Sequence, residues 1–362
     1  MKVLVTGAKG FIGKNLCWWL RNTGHEVIQF DVEDKLEDLA GKLNDVGFIV
    51  HLAGVNRPIN PEEFYSGNYG FTRKLVEVVM QSGYDIPIIY SSSSQALLDN
   101  DYGKSKKMAE EYLMGCPLTT YIYRLDNVFG PGCRPNYNSF VSTMANNIAN
   151  DLPYKIDDRQ KKLTLLNVFR ICDEFERIIS GTTERDEMGI LTIPGVEVKL
   201  GYVEELLKLF NKHPYQFPLR QDSFMNDLYL AYISYRPDFI NPLVEHSDER
   251  GCFIELMKSP EQGQVSINVS RPGVTKGGHY HTRKIEDFMT IFGDTVTRLR
   301  KPDSVEIKEY KSSGEKPSIV HIVPPYTHDI TNVGSGVSLT LMWINEVYDD
   351  KDPDTYRQDV II

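Results

Sequence analysis

The chain has 362 residues, of which 41% are hydrophobic and 25% are charged, and its net charge is −10. This length exceeds the number of residues that usually fold around one hydrophobic core, so we expect two domains. The negative charge argues against nucleic acid as a partner, because a surface that binds nucleic acid needs a cationic stripe to displace counterions. No apolar run reaches the roughly 18 residues that span a bilayer, so no membrane insertion is expected.

The cysteines and the first residues predict a cytoplasmic protein. The five cysteines are odd in number and widely spaced, and no CxxC pair occurs. This pattern disfavours a disulfide framework and favours a reducing compartment. The opening residues MKVLVTG lead directly into a strand pattern, so no signal peptide is predicted.

In the first part of the chain, short apolar segments typical of buried strands alternate with helical patterns. The strand segments are KVLVTG, EVIQF, FIVHLAG, IPIIYSSSS and TTYIYRL. The helical segments are FIGKNLCWWLRNTG, TRKLVEVVMQSG and YGKSKKMAEEYLMG. This alternation predicts an α/β fold of the Rossmann type, a doubly wound parallel sheet with helices on both faces.

From about residue 243, helical patterns nearly vanish, and short strands separated by turn signals predict an all-β sandwich or barrel. In QVSINVS the apolar Val265, Ile267 and Val269 alternate with polar residues, which predicts that these three side chains point inward. We therefore divide the chain into an α/β domain at residues 1–242 and a β domain at residues 243–362.

The segment TGAKGFIG places Gly7, Gly10 and Gly13 at the turn between the first strand and the first helix. Glycines also mark plain turns, but here a strand precedes them and an amphipathic helix follows. Such a turn lets a pyrophosphate approach the backbone, and the helix N-terminus offers free N–H groups. Asp31 follows the second strand, where an acid typically binds ribose hydroxyls and repels a 2′-phosphate. The pattern predicts a dinucleotide site, and Asp31 favours NADH.

Tyr102 and Lys106 are four residues apart on a predicted helix and share one face. A lysine ammonium lowers the pKa of a neighbouring tyrosine, so the phenol can exchange a proton with a carbonyl or alcohol. The alternative is a surface aromatic–cation pair. The serine cluster at residues 91–94 favours the functional interpretation, because it ends a preceding strand, where α/β folds bind ligands.

Together these segments resemble the short-chain dehydrogenase/reductase superfamily, in its extended branch that modifies nucleotide sugars, over about residues 1–235. The resemblance implies that Tyr102 exchanges the proton, that Lys106 holds the nicotinamide ribose, and that Ser93 polarises the substrate carbonyl. Asn127, in RLDNVFGPG, is expected near the substrate. Where many members carry Val-Asp-Asp, this chain has Val-Phe-Arg at 168–170. Besides Tyr102 and Lys106, the implied cofactor site consists of Gly7, Gly10, Phe11, Ile12, Gly13, Asp31, Leu52, Ala53 and Gly54.

The segment HYHTRKIE places His279, His281 and Glu286 within eight residues, and His328 follows in VPPYTHDITN. On a strand, both histidines of a His-x-His pair point to the same face. Three imidazoles and a carboxylate suit Zn²⁺ or another divalent transition metal, with room for water or substrate. An ordinary exposed polar strand is the alternative interpretation.

The wider spacing resembles the cupin superfamily, a small β-barrel. From Gly273 the sequence runs Gly-x5-His-x-His-x4-Glu-x6-Gly and ends at Gly293, which is similar to the first cupin motif. PPYTHDITN is similar to the second motif, with Pro325 in place of its usual glycine. The resemblance covers about residues 243–350 and implies a metal site made of His279, His281, Glu286 and His328.

A reductase domain followed by a cupin resembles a family of capsular polysaccharide enzymes that act on UDP-linked 4-keto sugars. The resemblance is carried by HLAGVNRP, NDYGKSK, RPNYNS, GQVSINVSRPGVTKG and TLMWINE. It implies metal-dependent epimerisation at C3 in the cupin and NAD(P)H-dependent reduction of the C4 carbonyl in the first domain. The implied product is UDP-N-acetyl-6-deoxy-L-talosamine, for capsule or O-antigen synthesis.

The same resemblance implies that Arg57 lies near the sugar nucleotide, that NADPH is the reductant, and that the protein is a homodimer. NADPH conflicts with the charge of Asp31, so the sequence leaves NADPH and NADH open. The base of the epimerisation is also open, the candidates being a water on the metal, Tyr280 and Tyr326.

Two other interpretations remain. One is an epimerase or dehydratase that retains its NAD and uses the cupin only as a structural domain. The other is a non-catalytic dinucleotide sensor, which has no need of Tyr102 and Lys106.

Overall fold

In the computed structural model, the alternating strands and helices of the first part of the chain build a six-stranded parallel sheet of order β2-β1-β3-β4-β5-β8. A smaller sheet has the order β6-β7-β9. The structure describes residues 1–182, 189–212, 222–238, 240, 242–259 and 262–362. The strands are β1 (Lys2–Thr6), β2 (Glu26–Phe30), β3 (Phe48–His51), β4 (Ile88–Ser93), β5 (Thr120–Leu125), β6 (Asn127–Phe129), β7 (Lys162–Asn167), β8 (Ile190–Leu191) and β9 (Val196–Lys199).

Helices cover both faces of the large sheet. Because successive strand residues point to opposite faces, Val3 packs in one apolar cluster with Leu16, whereas Leu4 packs in another with Leu75. The predicted doubly wound parallel sheet is therefore confirmed. The α-helices are α1 (Phe11–Asn22), α2 (Leu39–Lys42), α3 (Glu62–Phe64), α4 (Phe71–Ser82), α5 (Asp101–Gly115), α6 (Phe140–Ala149), α7 (Val168–Ile179), α8 (Leu200–Lys212) and α9 (Ser223–Ile233).

The order of the strands determines where a ligand can bind. β1 has β2 on one side and β3 on the other. The chain therefore runs outward in one direction from β1 to β2 and then returns to continue in the opposite direction with β3. Ligands of open α/β sheets bind at this kind of switch point, beyond the carboxyl ends of the strands. The glycine turn, the segment after β3 and the serines of β4 all lie at that edge.

The second part of the chain is mostly antiparallel β-structure. It forms one sheet of order β10-β11-β12-β19-β14-β17 and another of order β16-β15-β18-β13-β20. The predicted all-β domain is thus present, whereas its closure into a cupin barrel stays a prediction. The strands are β10 (Val244–Asp248), β11 (Gly251–Ser259), β12 (Gly263–Ser270), β13 (Thr275–Tyr280), β14 (Glu286–Phe292), β15 (Asp294–Arg300), β16 (Ile307–Ser313), β17 (Ile319–Ile322), β18 (Thr327–Asn332), β19 (Ser338–Ile344) and β20 (Tyr356–Arg357).

The predicted inward face of β12 is wrong. Its buried residues are the polar ones, Gln264, Ser266, Asn268 and Ser270, whereas the apolar residues at 265, 267 and 269 are only half-buried. The physical reason is that the interior of this domain is polar here and that the polar side chains of β12 form hydrogen bonds in it. The Asn268 side chain accepts a hydrogen bond from the ammonium of Lys276 on β13 at 2.8 Å and donates one to the Ser270 hydroxyl at 3.2 Å.

The chain separates into two units. The first consists of Met1–Asn211 and Asp227–Pro237, and the second of Lys212–Asn226 and Asp238–Ile362. The domain boundary that we place from the sequence, between residues 242 and 243, stays a prediction. Within the described ranges, no helix is both long enough and apolar enough to cross a membrane.

Candidate functional site

The glycine turn after β1 leaves room for backbone only. Gly7 has a φ of +66°, and a Cβ atom on it would lie 2.7 Å from the backbone nitrogen of Ala53. A Cβ atom on Gly13 would lie 2.2 Å from the carbonyl oxygen of Gly7. The turn therefore packs directly against the segment after β3. Helix α1 begins behind it without a side-chain cap, so its first N–H groups are available to a phosphate.

The carboxylate of Asp31 faces the glycine turn. It accepts hydrogen bonds from the backbone N–H of Lys9 at 2.6 Å and of Val32 at 2.9 Å. The side chain of Lys9 forms an ion pair with Glu33. An acid at this position is placed to meet the ribose of a nucleotide bound at the turn, and its selection of NADH stays a prediction.

A cleft of about 1310 Å³ opens at the same edge of the sheet. Arg57 is not among its lining residues, but its Nε donates a hydrogen bond at 2.9 Å to the Oδ1 of Asn138, which does line the cleft. The other predicted residues of this unit line the cleft directly: Gly7, Gly10, Phe11, Ile12, Gly13, Asp31, Leu52, Ala53, Gly54, Ser93, Tyr102, Lys106 and Asn127.

Tyr102 and Ser93 face each other inside the cleft. Tyr102 lies in the first turn of α5, which begins where the Asn100 side chain accepts the N–H of Gly103 at 2.8 Å. Burial raises the pKa of Tyr102, and its hydrogen bond with Ser93 opposes that rise only in part. In the free protein the phenol is therefore protonated at neutral pH, as a proton donor must be.

Lys106 does not act on Tyr102 as the sequence predicted. Its ammonium donates to the Ser91 carbonyl at 2.9 Å and lies 4.9 Å from the ring centre of Tyr90. Burial lowers the pKa of Lys106 to about 8, opposed by the charge of Glu110. The predicted lowering of the Tyr102 pKa is wrong for this structure, because burial dominates at the phenol and the ammonium is directed to a backbone carbonyl.

His51, which the sequence analysis did not single out, connects the ends of β1 and β3 with α4. The Thr72 hydroxyl donates to the Asn68 carbonyl at 2.6 Å, so it accepts from the Nε2–H of His51 at 2.9 Å. Nδ1 of His51 then accepts from the Thr6 hydroxyl at 2.7 Å, and Thr6 accepts the N–H of Ala53 at 3.3 Å. Burial, and secondarily the charge of Lys106, lowers the pKa of His51 to about 3, which keeps the imidazole neutral.

Two arginines contact the ring of one tyrosine at the cleft. The guanidinium carbon of Arg57 lies 5.1 Å from the ring centre of Tyr137, and that of Arg134 lies 5.6 Å from it. Tyr137 and Arg134 line the cleft. The segment RPNYNS, which carried part of the family resemblance, was the sequence signal for them. Two guanidinium groups that contact one ring place two positive charges close together, which suits the binding of phosphates.

Asn127 and the Val-Phe-Arg segment lie at different places. The Asn127 side chain donates to the Thr164 carbonyl at 3.1 Å and lines the cleft. Residues 168–170 form the first turn of α7, capped by Asn167, whose Oδ1 accepts the N–H of Phe169 at 2.7 Å. Phe169 and Arg170 line a separate cleft of about 400 Å³. The departure from the family pattern thus lies outside the lining of the large cleft.

In the second unit, the four predicted metal ligands come together. His279 is on β13, His281 directly follows it, Glu286 begins β14 and His328 is on β18. One potential ligand atom from each lies within 4.8 Å of all the others. The Nε2 atoms of His328 and His281 lie 2.8 and 3.4 Å from the same oxygen of Glu286.

The charges of this cluster suit a cation. Burial by itself raises the pKa of Glu286, but its contacts with His281 and His328 lower the pKa by more than burial raises it. The carboxyl group is therefore ionised. Burial and the neighbouring His328 lower the pKa of His279 to about 4. The cluster thus combines a carboxylate with an imidazole that stays neutral, and both are metal-ligand forms.

The outer nitrogens of two of the imidazoles have backbone partners. Nδ1 of His281 lies 2.5 Å from the carbonyl oxygen of Asp354, and Nδ1 of His328 lies 3.3 Å from that of Tyr326. The Nε2 atoms of both rings and one oxygen of Glu286 are buried without a hydrogen-bond partner. Buried polar atoms normally have one. This arrangement, with Nδ1 tied outside and Nε2 directed to the centre, is the one that metal-binding histidines use.

The two tyrosines proposed as bases differ in position. Strand alternation directs Tyr280 to the face opposite His279, and its ring stacks on that of Tyr356 at 5.2 Å. Tyr326 packs instead against the buried cluster that contains Phe288, whose ring centre lies 5.9 Å from that of His328. Tyr326 therefore packs beside a residue that contacts His328, whereas Tyr280 points away from His279.

Comparison with protein families identifies two matching segments. Residues 3–186 match the model described as the NAD dependent epimerase/dehydratase family. Residues 246–356 match the model described as the polysaccharide biosynthesis C-terminal domain.

Individual relatives match either most of the chain or a large part of it. The chain is 41% identical to the UDP-2-acetamido-2,6-beta-L-arabino-hexul-4-ose reductase of Pseudomonas aeruginosa, over 98% of each sequence. It is 27% identical to the GDP-6-deoxy-D-talose 4-dehydrogenase of Aggregatibacter actinomycetemcomitans, over 64% of this chain and 85% of that protein. The crystal structure of the capsular polysaccharide assembling protein CapF from Staphylococcus aureus aligns with 99% of this chain and 100% of its own, with a TM-score of 0.90 and 41% identity.

Proposed function

Because the chain belongs to the NAD-dependent epimerase/dehydratase family and carries a polysaccharide biosynthesis C-terminal domain, we propose that it is a two-site enzyme of UDP-linked 4-keto sugars. The first unit reduces the C4 carbonyl with NADPH or NADH. The second unit is a cupin that inverts C3 with a divalent transition metal, Zn²⁺ in the first place. The product is UDP-N-acetyl-6-deoxy-L-talosamine, used for capsule or O-antigen synthesis.

One observation carries this proposal. The same chain holds a Ser93–Tyr102 pair in a cleft with a glycine turn and, in its other unit, a cluster of three histidines and a glutamate. The names of the relatives support the C4 chemistry, since one is a hexul-4-ose reductase and another a 4-dehydrogenase. The match over 98% of both chains supports the transfer of a whole-chain activity.

At the reductase site, the roles follow from the hydrogen bonds. When bound, a reduced nicotinamide supplies the hydride that C4 accepts. Ser93 and Tyr102 present their hydroxyls to the C4 oxygen, and Tyr102 donates the proton that turns the developing alkoxide into an alcohol. Lys106 holds the ribose and contributes positive charge.

The choice between NADPH and NADH depends on the residues that face the adenosine ribose of the cofactor. The carboxylate of Asp31 favours NADH because it repels a 2′-phosphate, whereas the resemblance implies NADPH. The ratio of kcat/KM for the two reductants decides between them. If NADPH is preferred, the nearby Lys9 has to exchange its ion pair with Glu33 for the phosphate.

At the second site, the buried unpartnered Nε2 and carboxylate atoms fit a divalent ion, held by His279, His281, Glu286 and His328. When bound, such an ion supplies a Lewis acid that polarises the C4 carbonyl and acidifies the neighbouring C3–H. Inversion needs a group that removes the C3 proton from one face and a donor that returns a proton to the other. We assign Tyr326 to one of these roles.

The test follows the sugar by NMR in deuterated water. A UDP-linked 4-keto-6-deoxy-N-acetylhexosamine is incubated with the protein, with and without reduced cofactor. Tyr102→Phe is expected to abolish cofactor oxidation and to leave deuterium exchange at C3 intact. His279→Ala is expected to abolish the exchange and to leave the reduction of already epimerised sugar intact. Removing the metal with a chelator has the same result as His279→Ala, and adding Zn²⁺ restores the exchange.

Two matched variants control for unspecific damage. Tyr112→Phe removes a phenol from the same helix, α5, and His321→Ala removes an exposed imidazole of the second unit. Both are expected to keep both reactions. If Tyr102→Phe and His279→Ala each lose both reactions, the division into two sites is wrong. Tight cofactor binding without any turnover by the unaltered protein identifies it as a sensor.

A further inference from the structure

The carboxylate of Asp354 binds the loop between two of the proposed metal ligands. Asp354 as a whole is 3% exposed, and its carboxylate accepts the backbone N–H groups of Thr282, Arg283 and Lys284 at 3.1, 3.0 and 3.1 Å. It also accepts the Thr282 hydroxyl at 2.6 Å. These three residues directly follow His281 and precede Glu286. One buried carboxylate therefore holds the turn on which the spacing of the two ligands depends.

The backbone of the same residue holds the imidazole itself. The carbonyl oxygen of Asp354 lies 2.5 Å from Nδ1 of His281. A carbonyl oxygen can only accept, so Nδ1 must carry the proton, and the lone pair of the neutral ring is then on Nε2. Asp354 has a φ of +40°, an uncommon conformation for a residue other than glycine, and this conformation directs its carboxylate and its carbonyl to the same loop.

The residues that follow contact the strands of the other two histidines. In β20, Arg357 pairs with His279 on β13. The Gln358 side chain accepts the hydroxyl of Thr327, the neighbour of His328, at 2.6 Å. Val360 is buried, and its carbonyl accepts Nε of Arg300 at 2.8 Å. The last part of the chain thus touches the segments that carry all three imidazoles.

We propose that residues 353–360, which we call the C-terminal clamp, position the imidazoles of the metal centre, with Asp354 as the positioning residue for His281. The inference rests on the metal centre of the proposed function and adds a device that preorganises it. Groups that orient metal-binding histidines typically contribute 10- to 100-fold to metal affinity.

The test compares the full-length protein with Asp354→Ala after removal of metal. Each is titrated with Zn²⁺ against a chromophoric chelator, and the absorption spectrum of the Co²⁺ form is recorded. Asp354→Ala is expected to bind Zn²⁺ about 10- to 100-fold more weakly and to change the Co²⁺ spectrum. In ¹⁵N spectra of histidine-labelled metal-free protein, His281 is expected to lose its single Nδ1–H tautomer, because without the carboxylate the Asp354 carbonyl is no longer held against the imidazole. A residue that served only folding would leave that tautomer unchanged.

Asp352→Ala is the matched control, because this neighbouring carboxylate is exposed and pairs with the exposed guanidinium of Arg283. It is expected to bind Zn²⁺ as the unaltered protein does. Equal Zn²⁺ affinity of Asp354→Ala and unaltered protein overturns the clamp. An unaltered protein without stoichiometric Zn²⁺ overturns the metal centre instead.

A second variant covers the case in which Asp354→Ala fails to fold. Asp354→Asn keeps one acceptor oxygen and tolerates a positive φ, but it lacks the charge that strengthens three N–H hydrogen bonds. Folded Asp354→Asn, checked by circular dichroism, is expected to bind Zn²⁺ at least threefold more weakly than the unaltered protein. Unchanged affinity in this variant also overturns the proposal.

Discussion

The ammonium of Lys106 donates to the backbone carbonyl of Ser91 at 2.9 Å, so its positive charge is directed to a carbonyl of β4. Burial lowers the pKa of Lys106 to about 8. The charge that the proposed reductase uses to hold its cofactor is therefore present below about pH 8 and is lost above it.

This titration predicts the alkaline side of the pH profile. The kcat/KM for the reduced cofactor, which reports the free enzyme, is expected to fall above about pH 8. Lys106→Arg keeps its charge throughout this range, so we expect a lower rate without the alkaline decline. Initial rates from pH 6 to pH 10 measure both. An identical alkaline decline in Lys106→Arg would assign it to another group.

His51 makes the first unit sensitive to acid. Its pKa is about 3 in the folded protein and near 6.5 when unfolded, so below pH 6.5 the unfolded chain binds a proton that the folded chain does not. Stability therefore falls as the pH falls, by about 1.4 kcal/mol per pH unit between these two values. His51→Gln, which does not titrate, is expected to be less stable at pH 7 but to lose that part of the slope.

The measurement is urea unfolding at several pH values, followed by tryptophan fluorescence in a Trp343→Phe background. The two remaining tryptophans, Trp18 and Trp19, then report on the first unit alone. Equal pH slopes with and without the His51→Gln substitution would show that His51 is not responsible.

Gly7→Ala is expected to weaken cofactor binding because its methyl group would collide with the backbone, and not only because the backbone would be strained. Gly7 and Gly83 both have positive φ, +66° and +73°. A methyl group on Gly83 meets nothing within 4 Å, whereas one on Gly7 meets the backbone of Ala53 at 2.7 Å. Gly83→Ala should lose about 1–2 kcal/mol of stability and keep its cofactor affinity.

Cofactor affinity, measured by quenching of protein fluorescence, separates the two variants. Gly7→Ala is expected to bind at least tenfold more weakly than Gly83→Ala. Similar affinities would mean that the turn does not carry the pyrophosphate.

Tyr137 is expected to control the affinity for the UDP-sugar. Tyr137→Leu removes the ring that Arg57 and Arg134 both contact. Two exposed cation–π contacts are together worth about 1–2 kcal/mol, so KM for the sugar should rise roughly 5- to 30-fold while kcat changes little. Tyr84→Leu, at another exposed tyrosine of the same unit, is the control. A loss in kcat with unchanged KM would place Tyr137 in the chemical step.

Local patterns in the sequence predicted much of the candidate site. The placement of Tyr102 and Lys106 on one helix and the His-x-His pair at the end of β13 each follow from the period of one helix or strand, and the glycine turn follows from its place between a strand and a helix. These periods fix which side chains share a face, so residues close in sequence could be grouped correctly. The family resemblance then joined the groups across the chain.

What a period cannot specify is which face is inside. Alternation in β12 distinguishes Val265, Ile267 and Val269 from their polar neighbours, but only the facing sheet, with Lys276 on β13, makes the polar face the buried one. The direction of the Lys106 ammonium was undetermined for the same reason, because its partner is a carbonyl on β4 and not a neighbour on its own helix.

The sequence by itself therefore determined the two kinds of domain and the residue types of the proposed reductase and metal sites, because both depend on spacing between residues that are close in the sequence. The tertiary structure decided which groups hold those residues in place. Asp354 meets His281 across 73 residues of chain, and Arg57 meets Tyr137 across 80. Such contacts depend on how strands and loops pack in three dimensions, and no local periodicity records them.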